Sequence, residues 1–196
     1  MKPVIITVLL TASVSLWAQT PGDTTYQVEL TVTASPTINF FRLPRAPQIP
    51  GKTSVGYGIS LRAMWHPGRL LSVGLLSGYY VIAEDEISVD RPSASLSFSA
   101  HLAAVPLQLA LSMQKSGVEI GLGIGPYFVM STIRGGTSAS ARGSRLEIGL
   151  TFFGSYAFSL GESIKIGPEL RVLSLRYRGI VSVMPSCSFR VDVLRY

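Results

Sequence analysis

One cysteine in 196 residues, Cys187, leaves no intramolecular disulfide to be made, so stability has to come from packing and strand pairing. Charge is scarce as well. Only 14% of the residues are Asp, Glu, Lys or Arg against 47% hydrophobic, and the mean hydropathy is positive. Something apolar has to cover such a surface. Long hydrophobic runs are nevertheless missing: beyond the first residues the longest candidate, Ala100 to Met113, is interrupted by Pro106 and Gln108, short of the ~20 residues of a spanning helix. No phosphate-binding loop, dinucleotide fingerprint or metal-ligand cluster is present. An apolar chain without a spanning helix points to a closed barrel, because only helices and barrels satisfy every backbone group in lipid.

The first residues have the layout of a secretory signal peptide. Met1-Lys2 is a short basic start, Val4 to Leu10 an apolar run, and Ser13 to Ala18 a small-residue exit before Gln19. Residues 1–18 are therefore expected to be removed, leaving 19–196 as one barrel domain. A retained helical anchor is the alternative, and the apolar run is short for it.

The decisive pattern is period-two alternation, which sends successive side chains to opposite faces of a strand. Tyr26, Val28, Leu30 and Val32 alternate with Gln27, Glu29, Thr31 and Thr33; Val55, Tyr57, Ile59, Leu61, Ala63 and Trp65 alternate with Ser54, Gly56, Gly58, Ser60, Arg62 and Met64. Leu71, Val73, Leu75 and Tyr79 follow, blurred by Leu70 and Leu76. Leu96 to Leu102 and Val105 to Leu111 use opposite parities, read as one long strand with a bulge near Pro106. Val118 to Gly125, Leu146 to Phe152, Ile164 to Val172 and Phe189 to Val193 complete about eight strands. Phe189, Val191 and Val193 fall out of phase with Leu194 and Tyr196, which predicts a bulge near Val193 or a degenerate end.

Short and long links alternate, as in outer-membrane barrels with short periplasmic turns and longer outer loops. The short ones are His66 to Arg69, Lys115 to Gly117 and Leu160 to Ser163; the long ones are Arg42 to Lys52, Ala83 to Ser93, Thr132 to Ser144 and Arg178 to Ser186. Aromatic girdles are expected from Tyr26, Trp65, Phe158 and Tyr196 at the inner ends, and from Phe40, Phe41, Tyr57, Tyr79, Tyr127 and Tyr177 at the outer ends.

Val105-Pro106-Leu107-Gln108-Leu109-Ala110-Leu111, followed by Gly121-Leu122-Gly123-Ile124-Gly125-Pro126-Tyr127, resembles the outer-membrane β-barrel domain family often labelled porin-like, which includes the small eight-stranded barrels of OmpA/OmpX type. There a P-L-x-L strand precedes a G-x-G-P-Y strand. The family's Lys-aromatic pair is replaced here by Ser112-Met113. The resemblance implies a closed, all-β, antiparallel up-and-down transmembrane barrel in the outer membrane, inserted by the barrel-assembly machinery. It implies no ligand.

With the polar parity inward, the lumen receives Glu29, Glu119, Glu147, Glu169 and Asp192 with Arg62, Lys165, Arg171 and Arg190. An eight-stranded barrel is only wide enough to be filled by side chains, and opposite charges in a dry interior pair. The expectation is a plugged, salt-bridged lumen. Inward glycines, among them Gly58, Gly121 and Gly149, either make room for long side chains or curve the strands.

Arg42, Arg45, Lys52, Arg134, Arg142, Arg145, Arg176 and Arg178 would ring the outer rim. That makes them candidates to pair with lipopolysaccharide phosphates, against a rim that is simply solvated. Glu84-Asp85-Glu86 reads as a solvated turn rather than a cation site.

A sequence pI of about 9.7 does not amount to a nucleic-acid surface, because the arginines form no patch with aromatic interleaving. A structural or surface-binding barrel without enzymatic activity, cofactor or metal is the reading that results. Two alternatives are a soluble periplasmic barrel holding an apolar ligand and a lipid A-modifying hydrolase or acyltransferase. The second would rest on Ser99 and His101 with an inward Glu119 or Glu147.

Overall fold

The computed structural model describes residues 26–41, 53–68, 70–91, 94–135, 140–175 and 179–195, with the side chains of 85–98 and 195 left aside. The segments are β1 (Gln27–Phe41), β2 (Thr53–His66), β3 (Leu71–Arg91), β4 (Ala94–Lys115), β5 (Val118–Gly135), β6 (Ser140–Tyr156), β7 (Phe158–Ser159), β8 (Ile164–Leu175) and β9 (Ile180–Arg195). Each pairs antiparallel with its neighbours in the order β6-β5-β4-β3-β2-β1-β9-β8-β7, and β6 also pairs with β8, which closes the sheet. The two residues of β7 continue β6 along β8 in one register, Ser155 facing Glu169 and Phe158 facing Ile166. The break falls where β8 carries Gly167-Pro168, and Pro168 has no N–H to give. The wall is thus a closed, up-and-down, eight-stranded antiparallel barrel, without helices among the described residues.

The barrel's faces follow the alternation. Val55 is 70% and Ile148 73% exposed, while Arg62 and Arg190 on the opposite face are completely buried. A soluble barrel would need a polar outer face, and the exposed belt that includes Val55, Ile59 and Ile148 is apolar. At one end β4 passes to β5 through Ser116 and Gly117, with φ of 51° and 82°, the two positive angles of the tight turn that suits strand twist.

The opposite end is uneven. A spanning strand needs about 9–11 residues, yet β3 has 21 and β4 22, against 12 in β8. Three stretches expected to be loops are largely ladder: pairing runs to Arg91 facing Ala94 and to Arg134 facing Ser140, and β9 starts at Ile180. Glu84-Asp85-Glu86 accordingly lies in a strand rather than a turn. Polar composition does not stop a ladder whose next row satisfies its own backbone groups. Residues 42–52 lie outside the described residues, as do 1–25 with the expected leader.

Two register shifts matter. Val81 faces Ala103 and Ala83 faces Leu102, so Ile82 is the extra residue of β3. The β4–β5 register is unbroken from Phe98 facing Gly135 to Lys115 facing Val118. The bulge expected in β4 near Pro106 therefore lies in its partner strand. The second shift leaves Val193 without a partner on β1, because Val28 faces Leu194 and Glu29 faces Asp192.

Candidate functional site

Inward parity gathers charge from five strands at the end with the tight turns. Glu119 of β5 accepts from Arg62 of β2 at 2.8 Å and lies 2.9 Å from Arg190 of β9. Arg62 also reaches Glu169 of β8 at 3.4 Å, and Glu169 pairs in turn with Arg171. Lys165 stands 3.0 Å from Glu29 and 3.1 Å from Asp192, and Arg190 meets Glu29 at 3.4 Å. Each charged group has an opposite partner, the condition on which burial of ions is tolerated. Glu147 is buried as well, higher up, in the row of Tyr127.

Space for these long side chains is made by small neighbours. The Arg62 guanidinium lies over the Phe153 ring at 4.0 Å, a cation–π contact. Phe153 can lie there only because Gly121 has no Cβ: one built on its backbone would be 2.1 Å from Phe153 Cζ. Similarly, a Cβ at Gly149 would come within 2.6 Å of the Tyr127 ring. The inward glycines at these two positions make room for aromatic rings.

Above the ions lies a hydrogen-bonded layer. Arg171 donates to the Tyr80 hydroxyl at 2.7 Å, to Ser60, and to Thr33 at 3.4 Å. Thr151 donates to Gln108 Oε1 at 2.7 Å and accepts from the Tyr127 hydroxyl at 2.6 Å. Gln108 in turn donates to the Gly149 carbonyl at 3.2 Å.

Higher still the interior turns apolar. Tyr80, Ile82, Ala104, Tyr127, Val129, Leu173, Leu175, Ile180 and Met184 form one buried cluster, with Phe41 and Leu102 packed against it. This layer was missed by sequence reasoning, although its signal is there: Leu173 and Leu175 share the parity of Arg171, and Leu102 that of Gln108. The opposite parities within β4 record the interior changing from polar to apolar.

Tyr127 and Phe41, expected in the outer girdle, belong to this interior. Tyr26 and Trp65 do stack at the inner end, with centroids 6.1 Å apart, and Tyr156 meets Phe158 edge-on at 4.7 Å. Tyr177 and Tyr196 lie outside the described residues.

Of the basic rim, Arg134, Arg142 and Arg145 are exposed on β5 and β6; Arg42, Arg45, Lys52, Arg176 and Arg178 fall outside the described residues. Ser99 and His101 have the outward parity of Leu107, Leu109 and Leu111 on β4. Glu119 and Glu147 face the interior, so neither carboxylate meets the imidazole and the hydrolase constellation drawn from the sequence is not assembled. The acid beside His101 is Glu84, directly across on β3. No group of three or more His, Cys, Asp or Glu among the described residues is placed to hold a metal.

No protein-family model matches the chain, and no curated protein does. Among solved structures it is similar to Neisserial surface protein A, with a TM-score of 0.53 at 12% identity, covering 84% of this chain and 96% of that one. Two others are Ail of Yersinia pestis in complex with the heparin analogue sucrose octasulfate, at TM-score 0.44 and 10% identity over 86% of this chain and 99% of that one, and the outer membrane protein OprG of Pseudomonas aeruginosa, at 0.41 and 8% over 85% and 95%. Identities this low speak for the fold alone. The fold is that of the small outer-membrane barrels.

Proposed function

We propose that the protein is exported to the outer membrane and works there as a sealed barrel, with a structural or surface-binding role carried by its outer end and no catalytic activity. The single observation behind the seal is the completeness of burial inside: Arg62 and Arg190 are fully inaccessible, Arg171 is 2% exposed, and an apolar cluster lies above them. A water-filled pore would leave those guanidinium groups hydrated. Conduction through such an interior would require breaking several paired ions at once.

The outer end is the natural place for recognition, since rigid walls carry variable ends. Arg134, Arg142 and Arg145 are exposed there, and their partner in this reading is the phosphate of outer-leaflet lipopolysaccharide. The test is reconstitution of the full chain into planar bilayers, with gel mobility before and after boiling. Heat-modifiable migration and electrical silence are the expected results. Discrete, long-lived conductance steps from the purified chain would overturn the sealed lumen, and recovery in a detergent-free periplasmic wash would overturn the membrane location.

A further inference from the structure

A pocket of about 290 Å³, lined by Glu84, Ser99, Ala100, His101, Thr132 and Arg134, opens on the wall where β3, β4 and β5 rise past the apolar belt. Its rows are fixed by register. Glu84, His101 and Thr132 face one another across the three strands, and Ser99 faces Arg134 in a neighbouring row. All of these pairs lie on the lipid-side face. His101 shares the parity of Leu107 and Leu109, and Thr132 that of Phe128 and Met130, exposed apolar residues further down the same strands.

Glu84 reaches this face only because of the bulge. Below it the even-numbered residues of β3, Ser72, Leu76 and Tyr80, are buried inside. In unbroken alternation Glu84 would point inward too; with Ile82 bulged out of the pairing, Glu84 turns outward beside His101, the re-aiming for which bulges are known.

The pocket therefore presents opposite charges at its two sides. Glu84 stands on β3 and Arg134 on β5, about 12 Å apart at the backbone, two strand spacings across and two residues along. Hydroxyls of Ser99 and Thr132 and the His101 ring lie between them. At 290 Å³ it is at the small end of ligand sites, about 300–1,000 Å³, which suits a headgroup and not an oligosaccharide.

We propose that this pocket is a subsite for a zwitterionic phosphate–ammonium headgroup of the phosphoethanolamine type, carried by a membrane lipid. Arg134, with the two hydroxyls, donates to the phosphate, and His101 donates from one ring nitrogen. Glu84 accepts from the ammonium. The acyl chains run down the apolar belt below. This rests on the membrane reading above, and it replaces general attraction of a basic rim for anionic lipid with recognition of both signs.

The test is retention from an equimolar mixture of phosphatidylethanolamine and phosphatidylglycerol, read by native mass spectrometry of the full chain released from vesicles. The wild-type chain is expected to keep phosphatidylethanolamine about fivefold over phosphatidylglycerol, the ratio of roughly one added hydrogen bond. E84Q removes the negative charge that pairs with the ammonium, leaving only a neutral acceptor, and is expected to abolish the preference for phosphatidylethanolamine. R134Q is expected to lose retention of both lipids. Equal retention of the two lipids by the wild type, or an unchanged preference in E84Q, overturns the proposal. Displacement of the lipid by equimolar soluble phosphoethanolamine overturns the lipid as its carrier. Gel mobility separates the two readings: a chain that does not insert defeats the membrane location, whereas a normally inserted chain without preference defeats the subsite alone.

Discussion

Glu119 holds two guanidinium groups, Arg62 at 2.8 Å and Arg190 at 2.9 Å, with no exposure of its own. Its loss and the loss of either arginine are therefore unequal events. E119L takes the nearest carboxylate from two buried cations at once and leaves them only the more distant Glu169 and Glu29, each at 3.4 Å; removing one side of a buried pair costs about 3–5 kcal/mol. R62M leaves Glu119 with Arg190 and Glu169 with Arg171, so each carboxylate keeps a partner and the cost is expected to be clearly smaller. Urea titration of the vesicle-inserted barrel, followed by gel mobility, checks the order. Equal losses would mean that the ions act singly and not as a network. Gly121 offers a steric counterpart. G121A drives a methyl against Phe153 Cζ and is expected to cost about 1–3 kcal/mol, as overpacking does. G154A, with no atom within 4 Å of its Cβ, should be silent in the same assay.

Strands were the legible level of this sequence, and their irregularities the less legible one. Alternation assigns Glu29, Arg62, Glu119 and Arg190 to one face because lipid imposes a strict apolar parity on the other. It says nothing of which strand absorbs an extra residue, since a change of phase in β4 looks the same whether β4 bulges or the interior becomes apolar. The register shows the second, with the bulge one strand away at Ile82. The pocket around Glu84 escaped sequence reasoning for the same reason, as its carboxylate reaches the outer face only through that bulge. In β9, by contrast, the last residues keep their apolar pattern and the phase slip at Val193 shows. Deleting Val193 removes a residue that pairs with nothing on β1, and the variant is expected to fold with normal heat-modifiable mobility. Deleting Phe189 turns Arg190 onto the lipid face, at a cost that rises with depth to about 2–4 kcal/mol at the midplane, besides emptying its place beside Glu119. That variant is expected to remain unfolded on the gel, and the pair together tests the register directly.

At the scale of the whole molecule, the membrane reading depends on which face of the closed wall meets hydrocarbon, and the chain carries a probe for it. Cys187 is the only thiol. It faces Ala34 on β1 and Pro168 on β8, and it is exposed on the outer surface of the barrel. In water an exposed thiol reacts readily with a maleimide. In a bilayer the same geometry puts it against acyl chains, where a charged, impermeant maleimide cannot follow. The vesicle-inserted protein is therefore expected to resist labelling and to take one label after boiling in detergent. Ser140, exposed at the start of β6 on the raised side of the wall, is the complement: S140C in a C187S background should label on intact cells. Prompt reaction of Cys187 in vesicles would mean that the apolar belt is not in lipid, because the alternation that hides the arginines is the one that turns this thiol outward.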